Sequence, residues 1–159
     1  IILPEPQSLL SAQAKVPGLD GEKMSKSYNN IIALREEPSV VESKIRTMQT
    51  DPARVRLTDP GEPGNCPVFA LHQVYSNQEV LDWCATGCRT AGIGCIDCKQ
   101  PLIDSINIEQ ELIRGRAQQF EEDADLVHAV IQEGSEKARV IARETMEDVK
   151  EVVGISHRQ

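Results

Sequence analysis

From position 67 onward the apolar residues recur at the three- and four-residue spacing of one helix face, and no stretch alternates in the manner of a half-buried strand. Pro67 opens the first such run at a first helical position, followed by Val68, Phe69, Leu71, Val74 and Tyr75. Asn77 can cap a second helix carrying Val80, Leu81 and Trp83, with Trp83 expected in its core. Pro101 is placed in the first turn of a third, with Leu102, Ile103, Ile106, Leu112, Ile113 and Phe120 along it. A fourth pattern runs from about residue 122 to 153 through Leu126, Val130, Ala138, Ile141, Met146, Val149 and Val152, with Gly134 as a candidate break. Upstream, Ser39-x-x-Glu42 has the form of a capping box and predicts a helix to about Gln49, burying Val40, Val41, Ile45 and Met48. These elements predict a mostly α protein. Aromatics are only 3%, so its core must come from Leu, Ile, Val, Ala and Met.

Ahead of the helices lies a glycine-flanked loop, residues 18–30. Lys23 and Lys26 are point charges on flexible stems, and Ser25 and Ser27 carry hydroxyls that donate or accept. Free N–H groups near a helix entrance favour anions, so the segment suits a polyphosphate. Gly18 and Gly21 are expected to let it swing, and Asn29 and Asn30 to cap the apolar cluster of Ile31, Ile32 and Leu34. Met24 is expected to anchor the loop by packing. Such a loop stabilises charge by position rather than by covalent chemistry.

The net charge of -8 argues against nucleic-acid binding over the whole surface. Residues 1–60 balance, with eight Lys/Arg against eight Asp/Glu, so all of the excess acidity lies in residues 61–159. RNA would have to be read at a local site. Arg54 and Arg56, in the proline- and glycine-broken stretch 50–65, are candidates for phosphate or, equally, for ordinary ion pairs. No apolar run is long enough to cross a membrane and no signal peptide is recognisable, which predicts a cytoplasmic protein. The opening Ile1-Ile2-Leu3-Pro4, without an initiator Met, reads as the start of a fragment. Carboxylates on the last helices are too abundant to nominate an acid–base pair, and His72, His128 and His157 belong to no nucleophile set.

Five cysteines, Cys66, Cys84, Cys88, Cys95 and Cys98, fall within 33 positions. Thiolates at such spacings repel unless a metal or cluster neutralises them, and a reducing compartment disfavours disulfides. Zinc sites usually show two close cysteine pairs. The single C-x2-C, the six-residue gap and the distant Cys66 suit a [4Fe–4S] cluster better, with zinc as the alternative. Cys66 or Cys84 completes a set with Cys88, Cys95 and Cys98; two ligands one turn apart, as Cys84 and Cys88 would be, crowd a cluster. Arg89 and Lys99 flank these thiols and are candidate contacts to unpaired bases or phosphate.

Lys23-Met24-Ser25-Lys26-Ser27 resembles the second signature of class I aminoacyl-tRNA synthetases, in which the lysines hold the ATP phosphates. Gly18-Leu19-Asp20-Gly21 before it and Tyr28-Asn29-Asn30 after it look like the tryptophanyl and tyrosyl branch. Asp51-Pro52-Ala53-Arg54, Thr58-Asp59-Pro60-Gly61-Glu62-Pro63 and Cys66-Pro67-Val68-Phe69 are similar to the bacterial tryptophanyl enzymes, and the resemblance extends to the C-terminus. It implies that residues 1–30 end a catalytic, Rossmann-like nucleotide-binding domain and that residues 31–159 are a helical anticodon-binding domain. It also implies ATP with Mg2+, tryptophan and tRNA as ligands of the whole enzyme, with a homodimer as its assembly. ATP contacts fall on Lys23, Met24, Ser25, Lys26 and Ser27, with Lys23 and Lys26 catalytic. A subset of these bacterial enzymes carries a cluster with the pattern C-x22-C-x6-C-x2-C, against 21 residues between Cys66 and Cys88 here. The His-x-Gly-His type motif and an amino-acid pocket are missing, so the chain alone is expected to make no adenylate. The tyrosyl branch shares the loop but not the proline-rich run and cysteines. A stand-alone metal- or cluster-binding helical module for RNA or a protein partner is the reading from a different class.

Overall fold

The structure, a computed structural model, describes residues 2–11 and 13–155; His157 lies outside the described residues. Five α-helices carry it: α1 Pro38–Thr47, α2 Pro67–Tyr75, α3 Gln78–Arg89, α4 Cys95–Glu122 and α5 Ala124–Val152. Single 3-10 turns sit at Lys26–Tyr28 and Pro63–Asn65. Among the described residues the only β pairing is one isolated antiparallel bridge, Pro17 to Lys23. The mostly α expectation holds.

The chain divides into two compact units, one of residues 10–115 and one of residues 1–9 with 116–159. In the first, Val41, Ile45 and Met48 of α1 and its end, Val68 and Leu71 of α2, and Leu102, Ile103 and Ile106 of α4 form one core. Leu102 and Ile106 sit four apart, so both present to the same partner helices. Leu102→Ala would leave a cavity in a fully buried position and is expected to cost about 2–5 kcal/mol, read from the denaturant midpoint of unfolding.

Several local expectations are revised. Ser39 does not cap α1: the helix starts at Pro38, whose missing N–H costs nothing at a first position, and Glu37 is the N-cap residue. Val40 is 40% exposed, because it precedes the Val41–Ile45 stripe by one position and turns off the core. Pro101 is not in a first turn. α4 begins six residues earlier at Cys95, where the Asp97 carboxylate accepts the Gly94 N–H (3.1 Å) and the Cys98 N–H donates to the Gly94 carbonyl (2.9 Å). The Asp97 side chain thus caps the first turn ahead of the proline, which removes one backbone bond from the helix interior. Trp83 is 44% exposed rather than a core residue, since Cys84 and Gly87 form the buried side of α3. Asn77 caps α3 as expected, its Oδ1 accepting the Val80 N–H at 3.0 Å.

In the second unit, α5 runs through Gly134 without a break and is capped by Asp123, whose Oδ1 accepts the Leu126 N–H at 2.9 Å. No residue of α5 is buried; Val130, Ile141, Met146 and Val152 of its apolar stripe are exposed. Amphipathic spacing records what a helix is able to bury, not what lies against it. No helix is long and apolar enough to cross a membrane among the described residues.

Candidate functional site

Residues 16–30 fold as a tight loop. The Met24 N–H donates to the Val16 carbonyl (3.0 Å) and the Gly18 N–H to the Glu22 carbonyl (2.6 Å), closing a turn at Gly21 with φ +84°. Asn30 is its staple. The buried amide accepts the Ser25 N–H (2.7 Å) and donates to Asp20 Oδ1 (2.8 Å) and the Lys23 carbonyl (3.2 Å). The glycines are therefore explained without swing: Gly21 by its positive φ, and Gly18 because a methyl group would fall 2.8 Å from the Asn30 carbonyl oxygen. Leu19 docks the loop on the core, and its carbonyl accepts the Gln49 N–H at the end of α1 (3.0 Å). Asn30 fastens the loop from within and Asn29 ends a 3-10 turn at φ 53°, so neither caps a later helix.

Beyond this base the charged part of the loop is open. Lys23, Lys26 and Ser27 are exposed, and Met24 and Ser25 half-buried. The Ser25 hydroxyl accepts the Ser27 N–H at 3.3 Å, capping the single turn that holds Lys26. The two lysines thus stand on a fixed backbone with mobile stems, an arrangement suited to a multiply charged anion.

The second site is built by helix ends. Cys66 is the N-cap residue of α2, Cys88 lies in the last turn of α3, and Cys95 and Cys98 occupy the first turn of α4. All four line one small cavity with Thr50, Arg54 and Val68; Cys84 is not in that lining. The loop 50–65 is nailed to it. Asp51, held below the usual carboxylate range by the Glu62 and Ala53 N–H groups, ties the loop's two arms, and the Gly61 N–H donates to the Cys88 carbonyl at 3.0 Å. A methyl group on Gly61 would sit 2.7 Å from Cys88 Sγ. Gly61→Ala is therefore expected to displace Cys88 at a cost of about 1–3 kcal/mol, visible as a lowered denaturant midpoint with unchanged helix content.

Two buried cations adjoin the thiols. Arg54 is 9% exposed and donates from Nη2 to the carbonyls of Leu57 (3.1 Å) and Ile93 (2.5 Å), while its Nε has no partner. Lys99 is 3% exposed; its Nζ donates to the carbonyls of Arg46 (2.8 Å) and Met48 (2.7 Å), capping the end of α1. That burial removes Lys99 as a contact to RNA. Its ammonium is pushed below the ordinary lysine value by desolvation, partly offset by Cys95, Cys66 and Cys98. Burial pushes the thiols of Cys66 and Cys88 up, against the pull of amide N–H groups on Cys66 and of Arg54 on Cys88. Arg89 is exposed and paired with Glu62 at 3.2 Å. Arg56, with exposed Val55, Leu57 and Ile96, lines a shallow pocket beside Cys95.

His72 was not legible as a site residue. It is fully buried on α2, with Nε2 3.7 Å from both Cys84 Sγ and Cys98 Sγ and 3.0 Å from the Cys98 carbonyl, and with Nδ1 2.7 Å from Ser76 Oγ. Its four-residue spacing to Ser76 is the one sequence signal that could have marked it.

A dilysine loop rests on a helical body that holds no sheet among the described residues. Residues 2–109 match the family model described as tRNA synthetases class I (W and Y), and the chain belongs to that family. The tryptophan–tRNA ligase of Ralstonia nicotianae is 54% identical over 157 residues, covering 99% of this chain and 39% of the relative. That of Thermotoga maritima is 44% identical over 155 residues, covering 97% of this chain and 47% of the relative. The chain thus spans less than half the length of these relatives. Among solved structures, Campylobacter jejuni tryptophanyl-tRNA synthetase complexed with ADP and tryptophan superposes with a TM-score of 0.73 at 28% identity, over 89% of this chain and 44% of that one.

Proposed function

We propose that this chain is the C-terminal part of a tryptophan–tRNA ligase, contributing the loop that holds the ATP phosphates and the helical body that reads the tRNA anticodon. The observation that carries the proposal is the exposed pair Lys23 and Lys26 on a loop fastened by Asn30 and Leu19 to the helical core. In the whole protein ATP binds with Mg2+, and the two lysines stabilise charge on the phosphates as pyrophosphate leaves. Ser25, Ser27 and the backbone of Met24 complete the phosphate contacts. Residues 1–30 belong with the catalytic domain and residues 31–159 form the anticodon-binding domain. The whole enzyme works in the cytoplasm as a homodimer.

Cys66, Cys88, Cys95 and Cys98 suit a [4Fe–4S] cluster. Such a cluster with four thiolates is anionic in its ordinary state, and the cavity offers the orphaned Arg54 Nε and two helix N-termini, with the Lys99 ammonium buried nearby on the α1 carbonyls. When bound, the group would tie α2, α3 and α4 together at one point. It would thereby steady the neighbouring pocket of Arg56, Val55, Leu57 and Ile96, whose exposed apolar and cationic groups suit unstacked bases. Arg89 stands beside this region as a further RNA contact once released from Glu62.

The test is aminoacylation by the full-length protein with tryptophan or tyrosine as the only amino acid. Charging of a tRNA bearing the tryptophan anticodon is expected with tryptophan alone. Charging with tyrosine moves the protein to the other branch, and charging with neither, by a folded protein, leaves the helical-module reading.

A further inference from the structure

The corner formed by His72, Cys84 and Cys98 lies outside the four-cysteine lining except for the shared Cys98. One ligand atom from each of the three lies within 4.8 Å of the other two. Zinc bonds of about 2.3 Å to sulfur and about 2.0–2.1 Å to nitrogen, at tetrahedral angles, put ligand nitrogen and sulfur about 3.6 Å apart. Both His72 Nε2 to sulfur distances are 3.7 Å. We propose that His72, Cys84 and Cys98 form a zinc site, occupied when the four-cysteine set holds no cluster and exclusive with it because Cys98 serves both.

Charge fits this assignment. A zinc ion with two thiolates and a neutral imidazole is net neutral and suits a fully buried corner, where His72 and Cys84 have no exposed surface. The second shell is already in place. A carbonyl only accepts, so in the metal-free chain Nε2 carries the imidazole proton toward the Cys98 oxygen, and Ser76 donates to Nδ1. On loading, the two thiol protons leave to solvent, the imidazole proton moves to Nδ1, and Ser76 Oγ accepts it, which fixes the ring for ligation.

The test is anaerobic titration of the cluster-free full-length protein with Co2+ as a spectroscopic probe, then with Zn2+ in competition. Tetrahedral cobalt bands with thiolate charge transfer are expected, unchanged in a C88S/C95S double variant. In Cys84→Ser the affinity is expected to fall by more than about 100-fold. Should Cys84→Ser fold poorly, X-ray absorption of the zinc-loaded native protein gives an independent readout: imidazole scattering with two sulfurs. Four sulfurs without imidazole, loss of binding in C88S/C95S with retention in Cys84→Ser, or no binding at all would overturn the proposal. None of these readouts requires that a cluster ever bind.

Discussion

Alanine in place of Lys26 or of Lys23 in the full-length protein is expected to lower tryptophan-dependent exchange of pyrophosphate into ATP by about 100- to 1,000-fold each, mainly through kcat. The reasoning starts from the backbone. Both lysines are exposed on a loop whose base is held by Asn30 and Leu19, so truncating them removes charge without touching the core. Stability is therefore expected to change by no more than about 0.5 kcal/mol. On the proposed role, the charge they meet would grow as the bond to pyrophosphate breaks, so the loss is expected on the transition state more than on ground-state ATP binding. A rise in the KM for ATP alone, with kcat intact, would mean that the lysines merely hold the nucleotide.

The second large effect belongs to the cysteines. Serine at Cys66, Cys88, Cys95 or Cys98 is expected to abolish iron and sulfide loading of anaerobically prepared protein, whereas Cys84→Ser should load fully, since Cys84 does not line the cavity. A group ligated by three helices contributes its binding energy to folding. Loss of about 3 kcal/mol would lower Tm by roughly 6–12 °C in a chain of this length, and less sharply in a larger protein. Iron content with visible charge-transfer absorbance checks the loading and a thermal scan checks the stability. Full iron in Cys66→Ser together with none in Cys84→Ser would reverse the choice of fourth ligand.

The helical class was readable because Val41, Ile45, Leu102 and Ile106 lie at helical spacing and are indeed buried. Periodicity carried that far and no further. The start of α4 was hidden because its cap is made by Gly94 and Asp97, while Pro101 offered a louder but later signal. Cys95 and Cys98 accordingly both lie on the first turn of α4. Lys99 looked like a surface cation because composition cannot reveal that two carbonyls at the end of α1 await it 51 and 53 residues earlier. His72 was obscure for a related reason: its partners Cys84 and Cys98 come from two other helices, and only tertiary packing brings them to one ring nitrogen. The exposure of the loop's lysines was legible but its mechanics were not, since the close approach of Gly18 to Asn30 exists only in the folded turn.

The most direct measurement is isotope exchange between pyrophosphate and ATP, run in parallel on the full-length protein and on residues 1–159 alone, with tryptophan or tyrosine supplied. Exchange by the full-length protein with tryptophan only, and none above background by the separated chain, is the predicted result. Exchange driven by tyrosine, or sustained by residues 1–159 on their own, would contradict the assignment of this chain as the C-terminal part, with the dilysine loop, of a tryptophan–tRNA ligase.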